Sequence, residues 1–370
     1  MLYNRIRFTY NSKKGKTNFS KGGVLMSTNT IINRQYAIAN NQADPIDLPK
    51  QRIYAMCNLR GGIGKTTLSF NLSYLVDNLL AVDTCPQGNL SFFYDNNYYA
   101  AQQTNVKDML LPYLVPGLGK ATRVASYIGA TNQYFSQKNN YYIPSSEELY
   151  LLPSQLITAI NQTSGLQQMQ KEQALKSILY SLKTEIEREL SENNLDKCII
   201  DTSPFFAGAT QLAWYAADAL VIPVRTDQQS IKSLELLINT LSSPQSEFRK
   251  YLPENDMNVP KIQMVVLTHC GWSTVAGARN EPNQQTKVYL KKVYDILSKH
   301  RTLLSTNAPE NHLFMLDDFL GSGRISSIES KPMELLQEGE TKVIDRVRVS
   351  VNKSVDKCKN QLKFIAQQLW

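Results

Sequence analysis

A glycine-rich stretch that follows a short apolar run constrains the fold of this chain more than any other feature. The apolar run begins at Ile53, the sequence Arg-Gly-Gly-Ile-Gly-Lys-Thr-Thr occupies positions 60–67, and an amphipathic segment begins at Leu68. This order predicts a strand, a tight loop and a helix. Glycines let backbone N–H groups turn inward and a helix N-terminus adds positive potential, so the predicted loop suits a phosphate group.

Two side chains of the loop extend this prediction to a nucleotide with magnesium. Lys65 supplies a positive charge, and Thr66 supplies a hydroxyl group for Mg²⁺. The usual pattern G-x-x-x-x-G-K-[ST] places a glycine five residues before Gly64, where this chain has Leu59. The alternative is a glycine-rich turn that binds nothing, and the order of strand, turn and helix argues against it.

The composition is that of a globular protein without membrane spans. The 370 residues allow one large α/β domain, alone or with additions, and 42% of them are apolar. A net charge of +8 permits a polyanionic partner. No apolar run approaches the roughly 18 residues that cross a bilayer, so we expect no integral membrane association. Five widely spaced cysteines without a C-x-x-C pair indicate reduced thiols and a cytoplasmic location.

Two further apolar runs end in an aspartate. The run at 79–82 ends at Asp83 and leads into Thr-Cys-Pro-Gln-Gly-Asn, and the run at 198–200 ends at Asp201 and leads into Thr-Ser-Pro. The second is a Walker B arrangement, in which the carboxylate reaches Mg²⁺ through a bound water. Parallel-type strands separated by helical patterns predict an α/β fold, with a doubly wound, mostly parallel sheet flanked by helices. The nucleotide is then expected at the carboxyl ends of the strands.

Four segments resemble the ParA/MinD family of partitioning and positioning ATPases. Residues 60–67 resemble its deviant Walker A loop, K-G-G-x-G-K-[ST]-T, and 79–90 resemble V-D-x-D-P-Q-G-N-L. Residues 197–204 match its Walker B strand and 217–224 its A-A-D-x-V-I-P-V strand, in the family's order. The resemblance covers most of residues 51–370. It implies a P-loop NTPase fold, ATP and Mg²⁺ as cofactors, and hydrolysis of ATP to ADP and phosphate.

The resemblance also implies a role for each residue of the loop. The residues that shape the phosphate cradle are Gly61, Gly62, Ile63 and Gly64. Lys65 is expected on the β- and γ-phosphates and Thr67 on the α-phosphate. Thr66 is expected to bind Mg²⁺, with Asp83 and Asp201 at the metal's bound waters. Lys65 and Asp83 are thereby assigned to catalysis.

Two positions depart from the family pattern. Arg60 replaces the signature lysine, which reaches across an ATP-bound dimer to the partner's phosphates. Either Arg60 makes that catalytic contact, or another residue such as Lys232 takes it over. Cys85 replaces a carboxylate that orients the attacking water, which predicts slow hydrolysis or a water held by another group. A carboxysome-positioning branch of the family also departs at the signature lysine, and it is a candidate subgroup.

The resemblance extends to partners. Lys291, Lys292 and Arg324 correspond to basic residues with which the family's dimer holds DNA without reading its sequence. Solvated surface lysines are the alternative. The implied partners are a second copy of the chain when ATP is bound, non-specific DNA, and a cargo-bound stimulating protein in a ParB-like role. A nucleoid-associated location follows from the DNA.

The domain organisation is predicted as an extension and one ATPase domain. Residues 1–50 are polar and aperiodic, which predicts a flexible arm that touches DNA or an artefact of the assigned start, with Met26 as the native start. Residues 51–370 form the domain, with an insertion or lid at about 91–147. Glu148–Ser154 is expected to be a strand.

A basic helix at about 341–370 is expected to close the chain. Valines spaced by four at 343, 347, 351 and 355 and later leucines form its apolar stripe. We expect it to pack on the domain with its basic face toward DNA. The alternative is a helix on a membrane surface, which would make the protein a MinD-like positioning ATPase. A weakly hydrolysing nucleotide switch is the further alternative that Cys85 suggests.

Overall fold

A mostly parallel sheet forms the centre of the molecule. The computed structural model describes residues 21–100, 103–119, 123–253, 257–273 and 281–370. The strands of the sheet are β1 Ile53–Met56, β2 Leu79–Asp83, β3 Ser126–Tyr127, β4 Tyr141–Ile143, β5 Lys197–Asp201, β6 Ala219–Arg225, β7 Lys261–Cys270 and β8 Leu313–Asp317. Their order is β3-β4-β2-β5-β1-β6-β7-β8, and only the β3–β4 pair is antiparallel.

Helices cover both faces of this sheet. They are α1 Lys21–Ala39, α2 Lys65–Leu75, α3 Asn89–Tyr94, α4 Val106–Leu114, α5 Leu152–Gln162, α6 Gln168–Leu179, α7 Ser181–Glu192, α8 Ala209–Ala216, α9 Gln228–Ser242, α10 Gln284–Lys299, α11 Leu320–Glu329 and α12 Val355–Leu369. In β1, Ile53 and Ala55 belong to the apolar core on one face, and Tyr54 and Met56 to the core on the other. Strands buried on both faces are typical of doubly wound α/β folds, so the predicted fold class is confirmed.

The described part of the interval 91–147, which was predicted to be an insertion or lid, contributes two strands to the sheet. Its strand β4 pairs in parallel with β2, and β3 adds the edge. Val106 of α4 and Phe135 are buried in the two cores. The strand predicted at Glu148–Ser154 is wrong, because a short turn at Glu147–Tyr150 leads directly into α5. The preceding run, Tyr141–Ile143, takes the strand position instead.

The prediction of a flexible N-terminal extension is wrong for the described part of residues 1–50. The helix α1 packs against α12 and β8. Ile31 and Ile38 are buried, and Arg34 donates to the carbonyl oxygens of Glu310 and Leu313 at 2.7 and 2.6 Å. A short apolar face among Asn, Thr and Arg residues is enough for a helix that tertiary contacts stabilise. Residues 1–20 lie outside the described residues, and Met26 as the native start stays a prediction.

The helix predicted for 341–370 begins only at Val355. Before it lies a hairpin of β9 Thr341–Ile344 and β10 Val347–Ser350. Its turn residues, Asp345 and Arg346, have φ of 50° and 66°, as a tight hairpin turn requires. Val343 and Val347 are 69% and 60% exposed, so valines spaced by four did not mark one helical face. From Leu362 onward the predicted apolar stripe is buried.

In the part of the chain that the structure describes, no helix combines the length and the apolar character needed to cross a membrane.

Candidate nucleotide-binding site

The glycine-rich loop joins β1 to α2, as predicted. Gly62 and Gly64 have φ of 68° and 91°, a left-handed conformation that glycine adopts without strain. Gly64 is the N-cap residue of α2 and Lys65 its first residue. The hydroxyl group of Thr268, near the end of β7, donates to the carbonyl oxygen of Ile63 at 3.1 Å and holds the loop toward the sheet. The loop therefore has the shape of a phosphate cradle.

The side chain of Lys65 is buried under the loop. Its Nζ donates to the carbonyl oxygens of Arg60 at 2.9 Å and Asn58 at 3.3 Å. Burial lowers the pKa of Lys65, and the negative charge of Asp201 opposes this effect. The ammonium group is therefore held by two neutral carbonyl oxygens. A phosphate bound in the loop could replace them as its partner.

Thr66 and Asp201, the two residues predicted to hold Mg²⁺ with Asp83, are in direct contact. The Thr66 hydroxyl donates to Asp201 Oδ2 at 2.7 Å, and the Ser69 hydroxyl donates to Oδ1 at 3.0 Å. Asp201 is fully buried at the end of β5. A hydroxyl group paired with a strand-end carboxylate fits Mg²⁺, which prefers oxygen ligands and retains several waters.

Asp83 lies beside Asp201 in register on the neighbouring strand β2. Its Oδ1 accepts from the Cys85 N–H at 3.1 Å, and its Oδ2 accepts from the N–H and the hydroxyl of Ser91, each at 2.8 Å. Burial raises the pKa of both aspartates, and the charge of Asp201 raises that of Asp83 further. Two buried carboxylates side by side favour a cation between them and the loop, so the residues present fit Mg²⁺.

Cys85 is an uncharged thiol. Burial is the main cause that raises its pKa, to about 12, and the charge of Asp83 adds to the effect. Its carbonyl oxygen accepts from the Ser145 hydroxyl at 2.6 Å, which fixes the loop after β2. At neutral pH this side chain cannot replace a carboxylate that orients water. All five cysteines of the chain lie among the described residues and are buried, free thiols.

Two cavities lie against the loop. The first, which we call the phosphate cavity, has a volume of about 200 Å³ and is lined by residues 61–67 together with Cys85, Gln87, Asn89, Thr202 and Pro204. The second, which we call the adjoining cavity, has a volume of about 420 Å³. Gly62, Gly64 and Thr67 line both, so one ligand can extend from one to the other along the loop.

Arg60 is turned toward the same subunit's helix α9. Its guanidinium group contacts the carboxylate of Asp227 and donates to the Ser230 hydroxyl at 2.7 Å. The alternative residue for the contact across a dimer, Lys232, is exposed on α9. In this structure Arg60 is engaged and Lys232 faces solvent.

The three predicted DNA-binding residues are placed differently from one another. Lys291 pairs with Asp295 at 2.6 Å on the exposed surface of α10. Lys292 donates to Gln228 Oε1 at 2.7 Å and lies over the Tyr289 ring. Arg324 is exposed on α11 and lines the adjoining cavity, beside the loop. Its guanidinium group is therefore offered to a ligand of that cavity as well as to solvent.

The basic residues of α12 are largely paired within the chain. Lys357 lies 3.2 Å from Asp317, Lys359 lies 3.0 Å from Asp356, and Lys363 lies 2.8 Å from Glu334. The Lys357 and Lys359 side chains are also only 13% and 16% exposed. The prediction of a basic face on this helix that is free to meet DNA is therefore not supported for these two residues.

The comparisons with known proteins agree with this geometry. A family model described as an AAA domain matches residues 51–253, more than half of the chain. The chain belongs to this family. Its curated relatives support a ParA/MinD-type partitioning ATPase, and one of them is named for the distribution of carboxysomes.

Three similar proteins illustrate the range of this family. The sporulation initiation inhibitor protein Soj of Bacillus subtilis is 28% identical over 259 residues, which are 69% of this chain and 86% of Soj. Maintenance of carboxysome distribution protein A of Gloeothece citriformis is 29% identical over 52% of this chain and 62% of its own length. The structure of apo McdA from Cyanothece has a TM-score of 0.51 at 20% identity, and the match covers 75% of this chain and 90% of that one.

Two residues that shape the site of this ParA/MinD-type chain were not predicted from its sequence. Ser69 shares Asp201 with Thr66, and Asp227 holds Arg60. Asp227 could have been found, because an aspartate directly before a segment of helical periodicity is an N-cap signal. Ser69 is one turn after Thr66 on the predicted helix, so the spacing places both on one face.

Proposed function

We propose that this chain is an ATP-driven switch that partitions or positions a plasmid, a chromosome or a protein body. ATP joins two copies face to face, the dimer binds DNA without reading its sequence, and hydrolysis stimulated by a cargo-bound partner releases it. The observation that best supports the proposal is the hydrogen bond between the Thr66 hydroxyl and Asp201 beside the glycine-rich loop. The Arg60 carbonyl oxygen in the same loop accepts a hydrogen bond from Lys65. A nucleoid-associated, cytoplasmic location belongs to the same proposal.

The residues of the loop would bind the triphosphate by exchanging their present contacts. Lys65 would exchange the carbonyl oxygens of Asn58 and Arg60 for the β- and γ-phosphates. The hydroxyl oxygen of Thr66 would bind Mg²⁺ while its proton stays hydrogen-bonded to Asp201. The backbone N–H groups at the start of α2 meet the phosphate oxygens. When bound, Mg²⁺ supplies neutralising charge for the transferring phosphoryl group. Asp201 and Asp83 would accept hydrogen bonds from the waters bound to the metal.

The dimer is supported by apolar side chains beside the phosphate cavity. Pro204 lines the cavity, and Phe205, the next residue, is 48% exposed. The helix α5 lies next to this segment, since a Cβ atom added at Gly208 would lie 3.0 Å from the Pro153 ring. Leu151, just before α5, is 57% exposed. A second copy that covers these side chains would also close the open side of the cavity.

DNA binding is supported by the net charge of +8 and by the exposed face of α10. Among the described residues, Lys291 has one ion pair, the surface pair with Asp295, and such pairs contribute little. A DNA phosphate can therefore replace that carboxylate. The relative named for carboxysome distribution suggests a protein body as one class of cargo.

The decisive experiment measures binding to a random-sequence duplex without nucleotide, with ADP and with ATP plus Mg²⁺. Each state is measured at about 50 and 200 mM salt, a range over which phosphate contacts lose much of their affinity. We expect binding only with ATP, equal affinity for unrelated sequences and a steep loss at the higher salt. Lys291→Ala combined with Lys292→Ala should weaken binding.

The control for this double variant is Lys107→Ala. Lys107 pairs with Glu148 at 2.8 Å and lies on α4, in the connection that leads to the opposite edge of the sheet. It should leave binding unchanged. Absence of binding in all three nucleotide states would contradict the DNA part of the proposal. Flotation with anionic liposomes then tests the MinD-like alternative, which the burial of Leu362, Ile365 and Leu369 disfavours.

A weakly hydrolysing nucleotide switch is the second candidate, and the neutral thiol of Cys85 favours it. Such a protein would dimerise with ATP but show negligible turnover even with DNA and its partner. If turnover is slow, release of the dimer from DNA would depend on the partner or on exchange of the nucleotide.

A further inference from the structure

The contact between Arg60 and α9 is built from several elements of one subunit. The guanidinium group of Arg60 contacts the carboxylate of Asp227 and donates to the Ser230 hydroxyl. Asp227 is also the N-cap residue of α9, where its Oδ1 accepts from the Ser230 N–H at 2.9 Å. Arg60 is thus fastened to the first turn of a 15-residue helix.

The stretch before the glycines is fastened to the same helix at a second point. The Ser233 hydroxyl donates to Asn58 Oδ1 at 2.5 Å, and Asn58 Nδ2 donates to the Pro223 carbonyl oxygen at 2.7 Å. On its other side, Lys65 donates to the carbonyl oxygens of Asn58 and Arg60. When Lys65 turns to a phosphate, this stretch loses the contacts on one side and keeps those with α9.

We propose that Asp227 and Ser230 are positioning residues that hold Arg60 over its own subunit and thereby restrain ATP-dependent dimerisation. This inference rests on the proposed function, in which two copies meet across the bound nucleotide. While Nη1 of Arg60 is engaged by both side chains of α9, its guanidinium group cannot turn to a phosphate of the facing copy. Asp227 therefore opposes formation of the dimer, and we call its contact with Arg60 the brake.

The contact has the properties of a releasable brake. The Arg60 and Asp227 side chains are 26% and 32% exposed, so water and anionic ligands reach the pair. A triphosphate carries more charge than one carboxylate and accepts bidentate contacts from arginine, so it competes well. After release Asp227 does not stay unpaired, because Arg225 Nε lies 3.9 Å from its Oδ2.

The variant Asp227→Asn separates the brake from the helix cap. Asparagine is as good an N-cap residue as aspartate, so α9 keeps its cap, while the charge that holds Arg60 is lost. Asp227→Ser, which also preserves a cap, is the second variant if the first proves unstable. Urea unfolding of each variant without nucleotide checks that the fold is unchanged.

The experiment measures the protein concentration at which half of the chain is dimeric in ATP plus Mg²⁺, by sedimentation velocity of the full chain. We expect Asp227→Asn to lower this concentration about tenfold, because two weak contacts are released per dimer. In the Arg60→Ala background, Asp227→Asn should not change this concentration relative to Arg60→Ala alone, since no arginine is then left to release. Ser230→Ala should shift it in the same direction but less.

Each outcome decides between the inference and the proposed function. Equal midpoints for the original chain and Asp227→Asn, with both dimeric in ATP, would overturn the inference alone. A shift that persists in the Arg60→Ala background would also overturn it, since the effect would not pass through Arg60. Dimerisation of Asp227→Asn only would support a strong brake. If neither protein dimerises with ATP, both the inference and the dimer step of the proposed function fail.

Discussion

Among single residues, Cys85 sets the chemical limit of the site. It lies in the wall of the phosphate cavity, and its buried thiol stays protonated at neutral pH. Gln87 and Asn89 line the same cavity and carry amide groups that can orient a water without accepting its proton. We therefore predict a site that binds phosphate but activates water weakly.

Restoring a carboxylate at position 85 should raise ATP turnover. We expect Cys85→Asp to increase the steady-state rate by about 100-fold, the lower range for a positioned general base. Phosphate release is measured with and without DNA, and ATP affinity is measured separately so that binding and chemistry can be distinguished. Cys85→Ser is the control for size without charge and should leave the rate unchanged. An unchanged rate in the aspartate variant would assign the water to another group, with Gln87→Ala as the next variant.

Alanine variants of Thr66 and Ser69 make a matched comparison that tests the predicted Mg²⁺ site. Both donate to Asp201, but only Thr66 also lines the phosphate cavity. We expect Thr66→Ala to abolish the effect of Mg²⁺ on ATP affinity, a loss of about 10- to 100-fold, and Ser69→Ala to preserve most of it. Titration of a fluorescent ATP analogue with and without Mg²⁺ measures both. Equal losses in the two variants would mean that Thr66 acts only by holding Asp201.

At the scale of elements, the strands around the loop were predictable and the ends of the chain were not. The continuous apolar runs that end in Asp83 and Asp201 identify these strands from the sequence, because strands buried on both faces do not alternate apolar with polar residues. The hairpin at 341–350 was hidden by valines whose spacing fits a helix as well as alternate positions of two strands. The helix α1 was hidden because its stability comes from contacts with residues almost 300 positions away, such as those of Arg34 with Leu313.

A buried histidine joins two of these elements and should give the fold a pH dependence. His312 is fully buried; its Nε2 accepts from the Thr306 N–H at 3.2 Å, and its Nδ1 donates to the Gln263 carbonyl oxygen at 2.7 Å. Burial lowers its pKa below the ordinary 6.5. The unfolded chain therefore binds this proton more readily, so the contribution of His312 is present above pH 6.5 and is lost as the pH falls toward the folded-state pKa.

We expect His312→Gln to reduce the loss of unfolding free energy between pH 7.5 and 5.5. The difference from the original chain should approach about 1.4 kcal/mol for each pH unit below 6.5 until the folded-state pKa is reached. Urea unfolding at several pH values measures it. Parallel pH profiles for the original chain and His312→Gln would contradict the assignment.

For the whole molecule, the topology makes nucleotide binding a global stabiliser. The central strands β2, β5 and β1 are adjacent, and the segments that follow them line the phosphate cavity. The end of β7 and the residues after β8 line the adjoining cavity. Because one ligand can contact residues that follow five neighbouring or near-neighbouring strands, it binds the folded chain and not the unfolded one.

ATP with Mg²⁺ at about 100 times its Kd should therefore raise the free energy of unfolding by about 2.7 kcal/mol. Urea unfolding followed by circular dichroism should show one cooperative transition that moves as a whole, since the ligand can contact residues at the ends of five of the eight strands of the sheet. Lys65→Ala removes the cation that turns to the phosphates and should remove most of the shift. The matched control Lys107→Ala, on α4 outside both cavities, should keep it. A shift confined to part of the transition would mean that the nucleotide stabilises the loop and α2 without the sheet edges.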